Sequence, residues 1–392
     1  MSYFSINRYL NDQIKSDLLE KMVFLGGPRQ VGKTTFSLSI MAQFNQLEFL
    51  TSPDVLRTNP GYMNWDILKA RKKIRDGILD ANSKLIILDE IHKYKDWKNL
   101  VKGFYDEYKT EKSFLITGSA RLDLFKKGGD SLQGRYHYFR LHPMSLGEIT
   151  NPNSSDFDAL FKFGGFPEPL IKGNEKFWRR WQTERLLRLI HEDLRDLEKV
   201  KDISDLEILA DALPSRVGSP LSINNLKNDI AVSHQTIERY IQIFENLYFC
   251  FRIAPYGAPK IKAVKKEQKL YLWDWSCILD EGARFENFVA SQLLKFCHFM
   301  QDTEGYKMEL RYLRDQEGRE VDFIVLQDKK PLFAVEAKYK DSKRSSNLTY
   351  FKERTNIPEF YQVHSNDIDY GRATVDGRVL PIWIFCKIKN LN

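Results

Sequence analysis

Cysteine is scarce in this 392-residue chain, and Cys250, Cys277, Cys297 and Cys386 lie too far apart to form a paired motif. The seven histidines are scattered as well, with no His-x-x-x-His and no mixed Cys/His cluster. Such spacing argues against a zinc site and against a disulfide framework. Long apolar runs are missing too: MVFL at 22–25 and LIIL at 85–88 are strand-sized, so nothing is read as spanning a membrane. The N-terminal stretch MSYFSINRYLNDQIKSDLLEK has no signal-peptide core, which points to a cytoplasmic, reducing compartment. There is no internal repeat and no low-complexity tract. Nor is there a large excess of one charge. The formal net charge of +7 is compatible with a nucleic-acid partner, but a solvated basic surface reads the same way. What is present is an ordinary folded composition, 42% hydrophobic and 29% charged, on a chain long enough for two or three cores.

From about residue 8 to 150, short apolar runs alternate with amphipathic stretches. MVFLGG, QLEFL, KLIILDE and KSFLITGS read as strands, and TTFSLSIMAQF and DWKNLVKGFYDEY as helices. This alternation predicts an α/β domain over residues 1–150, with a parallel sheet covered on both faces. The polar break TNPNSSD, from Thr150 to Asp156, ends it. After the turn-rich GGFPEP, a helical middle is expected over 151–262, closing in two helices around the turn AVS and a strand. A third unit over 263–392 opens with KLYLWD, continues with the helix RFENFVASQLLKFC, and runs into several strands.

The stretch GGPRQVGKTT carries the first recognisable chemistry. Gly27, Gly32, Lys33 and Thr34 have the spacing Gly-x-x-x-x-Gly-Lys-Thr between an apolar strand and a helix. Glycines let the backbone curl until its N–H groups point at phosphate oxygens, and the helix dipole adds positive potential there. The loop for ATP is therefore Gly27, Pro28, Arg29, Gln30, Val31, Gly32, Lys33, Thr34 and Thr35. Lys33 should reach the β- and γ-phosphates, and the Thr34 hydroxyl should sit on Mg²⁺. Asp89 ends an apolar strand, where it can hold that Mg²⁺ through water, and Glu90 is placed to polarise an attacking water. The acidic pair favours hydrolysis over a small-molecule kinase. Thr117 or Ser119 could sense the γ-phosphate, and Arg121 and Arg135 are candidates for the cation that stabilises transition-state charge. Such an arginine supplied by a neighbour would require at least a dimer.

Later in the chain, SINNLKNDIAVSHQTIERYIQIFENL lets Leu226, Ile230, Val232, Ile237, Ile241 and Phe244 pack two helices across a tight turn. Ser233, His234, Gln235, Glu238 and Arg239 are then left on the outer side of the second helix, which could enter a DNA major groove. Glu238 makes it a poor phosphate binder, and packing against protein fits equally well. In REVDFIVLQDKKPLFAVEAKYK, Asp322 lies on one apolar strand, while Glu336 and Lys338 share a face of the next. Charges inside so apolar a strand must pair or bind metal. Asp322 and Glu336 could hold Mg²⁺ or Mn²⁺, with Lys338 positioning or helping to deprotonate a water. Glu320, two residues before Asp322 and so on its face, could give further support. A salt-bridged strand pair is the plainer alternative.

NRYL, GPRQVGKTT, MNWDI, LDEIHKYKDWKNLVKGFYD, FLITGSARL, LQGRYHYFRLHPMSLGE and GGFPEP, in that order, resemble a prokaryotic family of AAA-type P-loop ATPases. KKEQKLYLWDW, ARFENFVASQLLK and EVDFIV extend the resemblance into the family's C-terminal part, long described as a domain of unknown function. The resemblance implies a P-loop NTPase sheet domain, a winged-helix middle and a restriction-endonuclease-like α/β tail. In that tail, Asp322, Glu336, Lys338 and the upstream Glu286 look like the PD-(D/E)XK nuclease signature. The expected function is ATP hydrolysis coupled to a tail that engages DNA or other nucleic acid, with Mg²⁺-dependent cleavage open. The rival is a nucleotide-controlled switch whose tail binds a protein partner without cutting.

Overall fold

The computed structural model describes residues 8–45, 53–80, 82–118, 132, 134–193, 203–257, 268–340, 343–371 and 377–391. The chain divides into two compact units, 1–142 and 143–392.

The first unit begins with α1 (Asn11–Asp17) and β1 (Met22–Gly26), followed by α2 (Lys33–Phe44), α3 (Pro53–Arg57) and β2 (Tyr62–Asn64). Then come α4 (Trp65–Leu68), α5 (Arg71–Asp80), β3 (Leu85–Asp89), α6 (Trp97–Tyr108), β4 (Ser113–Thr117) and β5 (Tyr136–Arg140). The strands form one sheet in the order β2-β3-β4-β1-β5, and every pair is parallel. All five residues of β1 and of β3 are buried, as expected of strands covered on both faces. α6 turns Trp97, Leu100, Val101 and Phe104 inward at helical spacing. Phe24 meets Trp97 at 5.9 Å and stacks on Tyr136 at 4.4 Å. Full burial of one such side chain contributes about 2–3 kcal/mol before ordering entropy is subtracted.

The expected strand QLEFL falls on residues 46–50, outside the described residues. The edge strand observed is instead Tyr62–Asn64. Three residues ending in asparagine carry too little apolar pattern to announce a strand. Parallel pairing sets Asn64 level with Asp89, Asp89 with Thr117, and Thr117 with Leu25, so these side chains line one edge of the sheet.

The second unit starts with α7 (Ser154–Phe163), opened by a capping box between Asn153 and Asp156, then α8 (Pro167–Lys172) and α9 (Glu175–Arg188). A π-helical turn, Leu189–Asp193, follows α9. Next are α10 (Ile203–Ala212), α11 (Ile223–Ile230), α12 (His234–Asn246), β6 (Cys250–Pro255) and β7 (Lys269–Leu272). β6 and β7 pair antiparallel, and Pro220, ahead of α11, bridges to Lys269. The unit continues with α13 (Glu281–Thr303), β8 (Met308–Arg314), β9 (Glu320–Gln327), β10 (Lys330–Lys338), α14 (Ser346–Arg354), β11 (Phe360–His364), β12 (Arg378–Pro381) and α15 (Ile382–Ile388). A seven-stranded mixed sheet runs β12-β11-β10-β9-β8-β6-β7. It therefore takes β6 from before residue 262 and all its other strands from after it. The tight turn at Asp328 and Lys329, both at positive φ, folds β10 back along β9, and α13 packs on this sheet. Among the described residues no helix is long and apolar enough to cross a membrane.

Candidate functional site

The loop after β1 curls as its glycines allow. Gly27 has φ +139°, and a Cβ there would lie 2.4 Å from the Leu141 carbonyl oxygen. Gly32 has φ +94° and caps α2. Arg8, in the NRYL stretch, braces the loop by donating to the carbonyls of Val31 at 3.2 Å and His142 at 2.5 Å. Lys33 is 8% exposed, and its ammonium donates to the loop's own carbonyls, Gly27 at 2.9 Å and Pro28 at 2.8 Å. A phosphate would exchange weak acceptors for charged ones there.

Asp89 reaches the loop from the end of β3 and gathers donors from three elements. Its Oδ2 accepts from the hydroxyls of Thr34 at 3.0 Å and Tyr62 at 2.8 Å, and from the Asn64 amide at 3.2 Å. Its Oδ1 accepts from Thr117. Tyr62 and Asn64 were not singled out from the sequence, although Asn64 lies in the MNWDI stretch beginning at Met63. Glu90 follows at φ 58°, and its amide bonds the Thr117 carbonyl at 3.1 Å. Burial first, and the Asp89 charge second, push the Glu90 carboxyl above its ordinary value. Lys93 at 3.3 Å and His92 at 3.7 Å lie against it. Two adjacent acids facing a hydroxyl and a lysine form a donor set suited to Mg²⁺ and a nucleotide phosphate.

Two of the expected companions, Ser119 and Arg121, lie outside the described residues. Arg135 is elsewhere. It precedes β5 beside Met22, at the opposite end of β1 from the loop, roughly 13 Å of strand away. There it pairs with Asp106 at 3.0 Å. The candidate Arg135 therefore lies away from its own chain's phosphate loop, because parallel pairing carries the two ends of β5 to opposite edges of the sheet.

In the second unit, Glu286 on α13, Asp322 on β9, and Glu336 and Lys338 on β10 form a charged cluster. The Ala337 amide donates to Asp322 at 2.8 Å, Lys338 pairs with Glu336 Oε1 at 2.9 Å, and Glu336 Oε2 is buried without a partner. Burial, then the Asp322 charge, raises both Glu286 and Glu336 to about 7. The sequence did not single out Lys269 or Tyr271, both from β7. Tyr271 donates to Glu286 at 2.7 Å. Lys269, 2% exposed, pairs with Glu286 at 3.2 Å and also with Glu320. Burial opposes the Lys269 charge, but Glu286, Asp322 and Glu320 outweigh it and hold the ammonium above the ordinary lysine value. Lys338 is likewise held up by Glu336 against its burial, which suits a charged positioning group better than a base.

Among the described residues no group of three His, Cys, Asp or Glu side chains stands ready to grip a metal ion. The acids nonetheless feel one another strongly, and one buried carboxylate oxygen is unpaired. A divalent cation fits this donor chemistry once Lys269 or Lys338 yields its carboxylate.

Of the expected packing residues, Leu226 and Ile230 of α11 and Ile237, Ile241 and Phe244 of α12 are buried, whereas Val232 in the turn is half-buried. His234, Gln235 and Arg239 are exposed. Ser233 is taken up in capping the helix at the Thr236 amide, 3.1 Å away. Glu238 is paired with Arg252 of β6 at 3.1 Å.

Three family models match successive parts of the chain. Residues 19–150 match a family described as an AAA domain. Residues 154–279 and 281–385 match two domains of unknown function, DUF8612 and DUF4143. An uncharacterized protein of Methanocaldococcus jannaschii is 20% identical over 414 residues, covering 96% of this chain and 90% of its own. One from Haemophilus influenzae is 23% identical over 353 residues, covering 83% and 84%. Among solved structures, AMPPCP-bound DnaA from Aquifex aeolicus aligns over 60% of this chain and 87% of its own, at 12% identity and a TM-score of 0.30, a likeness too loose to assign function. The phosphate loop, the Asp89-Glu90 pair and the parallel sheet all lie within residues 19–150, the part of the chain that is similar to an AAA domain.

Proposed function

We propose that the chain hydrolyses ATP in its AAA-type domain and uses the second unit, through a winged-helix segment and a PD-(D/E)XK-like carboxylate site, to engage nucleic acid. The observation that carries the ATPase reading is Asp89 bonded to Thr34 of the loop, with Glu90 beside it. Lys33 would leave the loop carbonyls for the β- and γ-phosphates. Glu90, more basic than an ordinary glutamate, would accept the proton of the attacking water. Mg²⁺ held through Thr34 and Asp89 would neutralise phosphate charge. With Arg135 remote from its own loop, the transition-state cation would come from Arg121 or from another copy of the chain.

Phosphate release tests this reading. Lys33→Ala is expected to lose nucleotide binding, and Glu90→Gln to keep binding but lose turnover by about a hundredfold or more. Normal turnover in Glu90→Gln would remove the glutamate from the role of base.

Support for nucleic acid comes from the order α10, a bridged Pro220, α11, α12 and the β6-β7 hairpin, which is the order of a winged helix. Arg252, bidentate on Glu245, also pairs with Glu238, the residue that most opposed phosphate contact by α12. A specific observation also favours the switch reading: two lysines already neutralise the carboxylate cluster from within. Cleavage of DNA and RNA with Mg²⁺ or Mn²⁺, with and without ATP, separates the two. Cutting lost in Asp322→Ala and in Lys338→Ala supports the nuclease; intact ATPase activity without cutting supports the switch.

A further inference from the structure

We propose that the second unit holds a ligand site separate from both clusters above, a cavity of about 610 Å³ built around Arg185 that takes a small carboxylate with an apolar body. Arg185 lies on α9 and is 7% exposed. Its guanidinium sits over the Phe166 ring at 4.2 Å and near Trp181 at 5.7 Å. Its polar contact is Asp274 at 3.7 Å, beyond hydrogen-bond length. Asp274 is committed elsewhere. Its Oδ1 accepts from the Ser276 amide at 3.2 Å and hydroxyl at 2.7 Å, and its Oδ2 accepts from Gln182 at 2.8 Å. Gly164 backs it so closely that a Cβ there would come within 2.6 Å of Oδ1.

A fork of five N–H donors thus faces the cavity with one ionic partner beyond hydrogen-bond length, and an acceptor entering the cavity would find donors to bond. The fork matches a carboxylate in bidentate geometry. Leu186, Val217, Phe249 and Leu279 line the same cavity, and Leu279 is 90% exposed, an apolar side chain without cover. Asp211 and Asp280 also line it and oppose any anion, a dianion most strongly, so the attraction for a carboxylate has to come from Arg185. Cys277 is there too, but burial pushes its thiol up to about 12, so the site binds rather than reacts. The π-helical turn directly after α9 is a feature that recurs at functional sites.

The test uses the full chain, with phenylbutyrate, its neutral amide and inorganic phosphate as probes, each titrated calorimetrically. Phenylbutyrate should bind about tenfold or more tightly than the amide, since a charged hydrogen-bond pair is lost in the latter. Arg185→Met should lose that preference. Ser215→Trp, at an exposed position lining the cavity, should block binding with the melting temperature unchanged. Equal binding of acid and amide, or binding of phosphate alone, would overturn the carboxylate assignment. No saturable binding of phenylbutyrate would overturn the site itself and leave Arg185 as the structural partner of Asp274.

Discussion

Four donors converge on the Asp89 carboxylate, and two of them, Tyr62 and Asn64, come from a strand of three residues. They aim the acid at Thr34 rather than touch a phosphate themselves. Asn64→Ala should therefore lower turnover by about tenfold, one charge-assisted hydrogen bond, while the ATP dissociation constant stays within about threefold. Nucleotide titration beside steady-state phosphate release separates the two quantities. Affinity lost together with turnover would make Asn64 a support of the loop instead. Lys269 offers the matching case in the second unit. Lys269→Met strips Glu286 and Glu320 of a buried partner, at a cost of about 3–5 kcal/mol. Mn²⁺ should restore much of the lost melting temperature if the acids can take a metal ion; a variant indifferent to Mn²⁺ would speak for the switch.

The carboxylate cluster depends on elements, because α13, β9 and β10 each supply an acid that could not reach the others along the chain. Glu286 and Glu336 titrate at about 7 when folded, against 4.5 for an ordinary glutamate. Between those values the folded state binds more protons than the unfolded chain. Stability must therefore fall as pH rises through that window and level off above it. With chelator present, the melting temperature should drop between about pH 5 and pH 7.5, and Glu286→Gln should remove part of the slope. A melting temperature that stayed flat across the same range would mean that the acids are already fully compensated by Lys269 and Lys338. The same logic explains Arg135: its place was set by the register of β5 on β1, which no local pattern encodes.

For the whole molecule, one chain that holds a nucleotide loop and the winged-helix segment proposed above invites a thermodynamic linkage. Whatever factor ATP applies to nucleic-acid affinity, nucleic acid applies to ATP affinity. In Glu90→Gln, which should retain ATP, we expect duplex affinity to change about fivefold or more on adding ATP, measured by fluorescence anisotropy at fixed salt. Equal affinities with and without ATP would make the two activities independent.

The amino-acid sequence by itself determined the strand–loop–helix of the phosphate site, the Asp89-Glu90 pair and the α/β character of the first unit, because each is written in consecutive residues. It also marked Asp322, Glu336 and Lys338, since charge inside an apolar strand is visible locally. Tertiary structure alone decided the rest. Sheet order brought Asn64 level with Asp89, and β7 carried Lys269 and Tyr271 to Glu286, meetings that no local period encodes. Partners met through register and packing cost loop-closure entropy and leave no periodic trace in the chain, so they can be read only once the fold has been made.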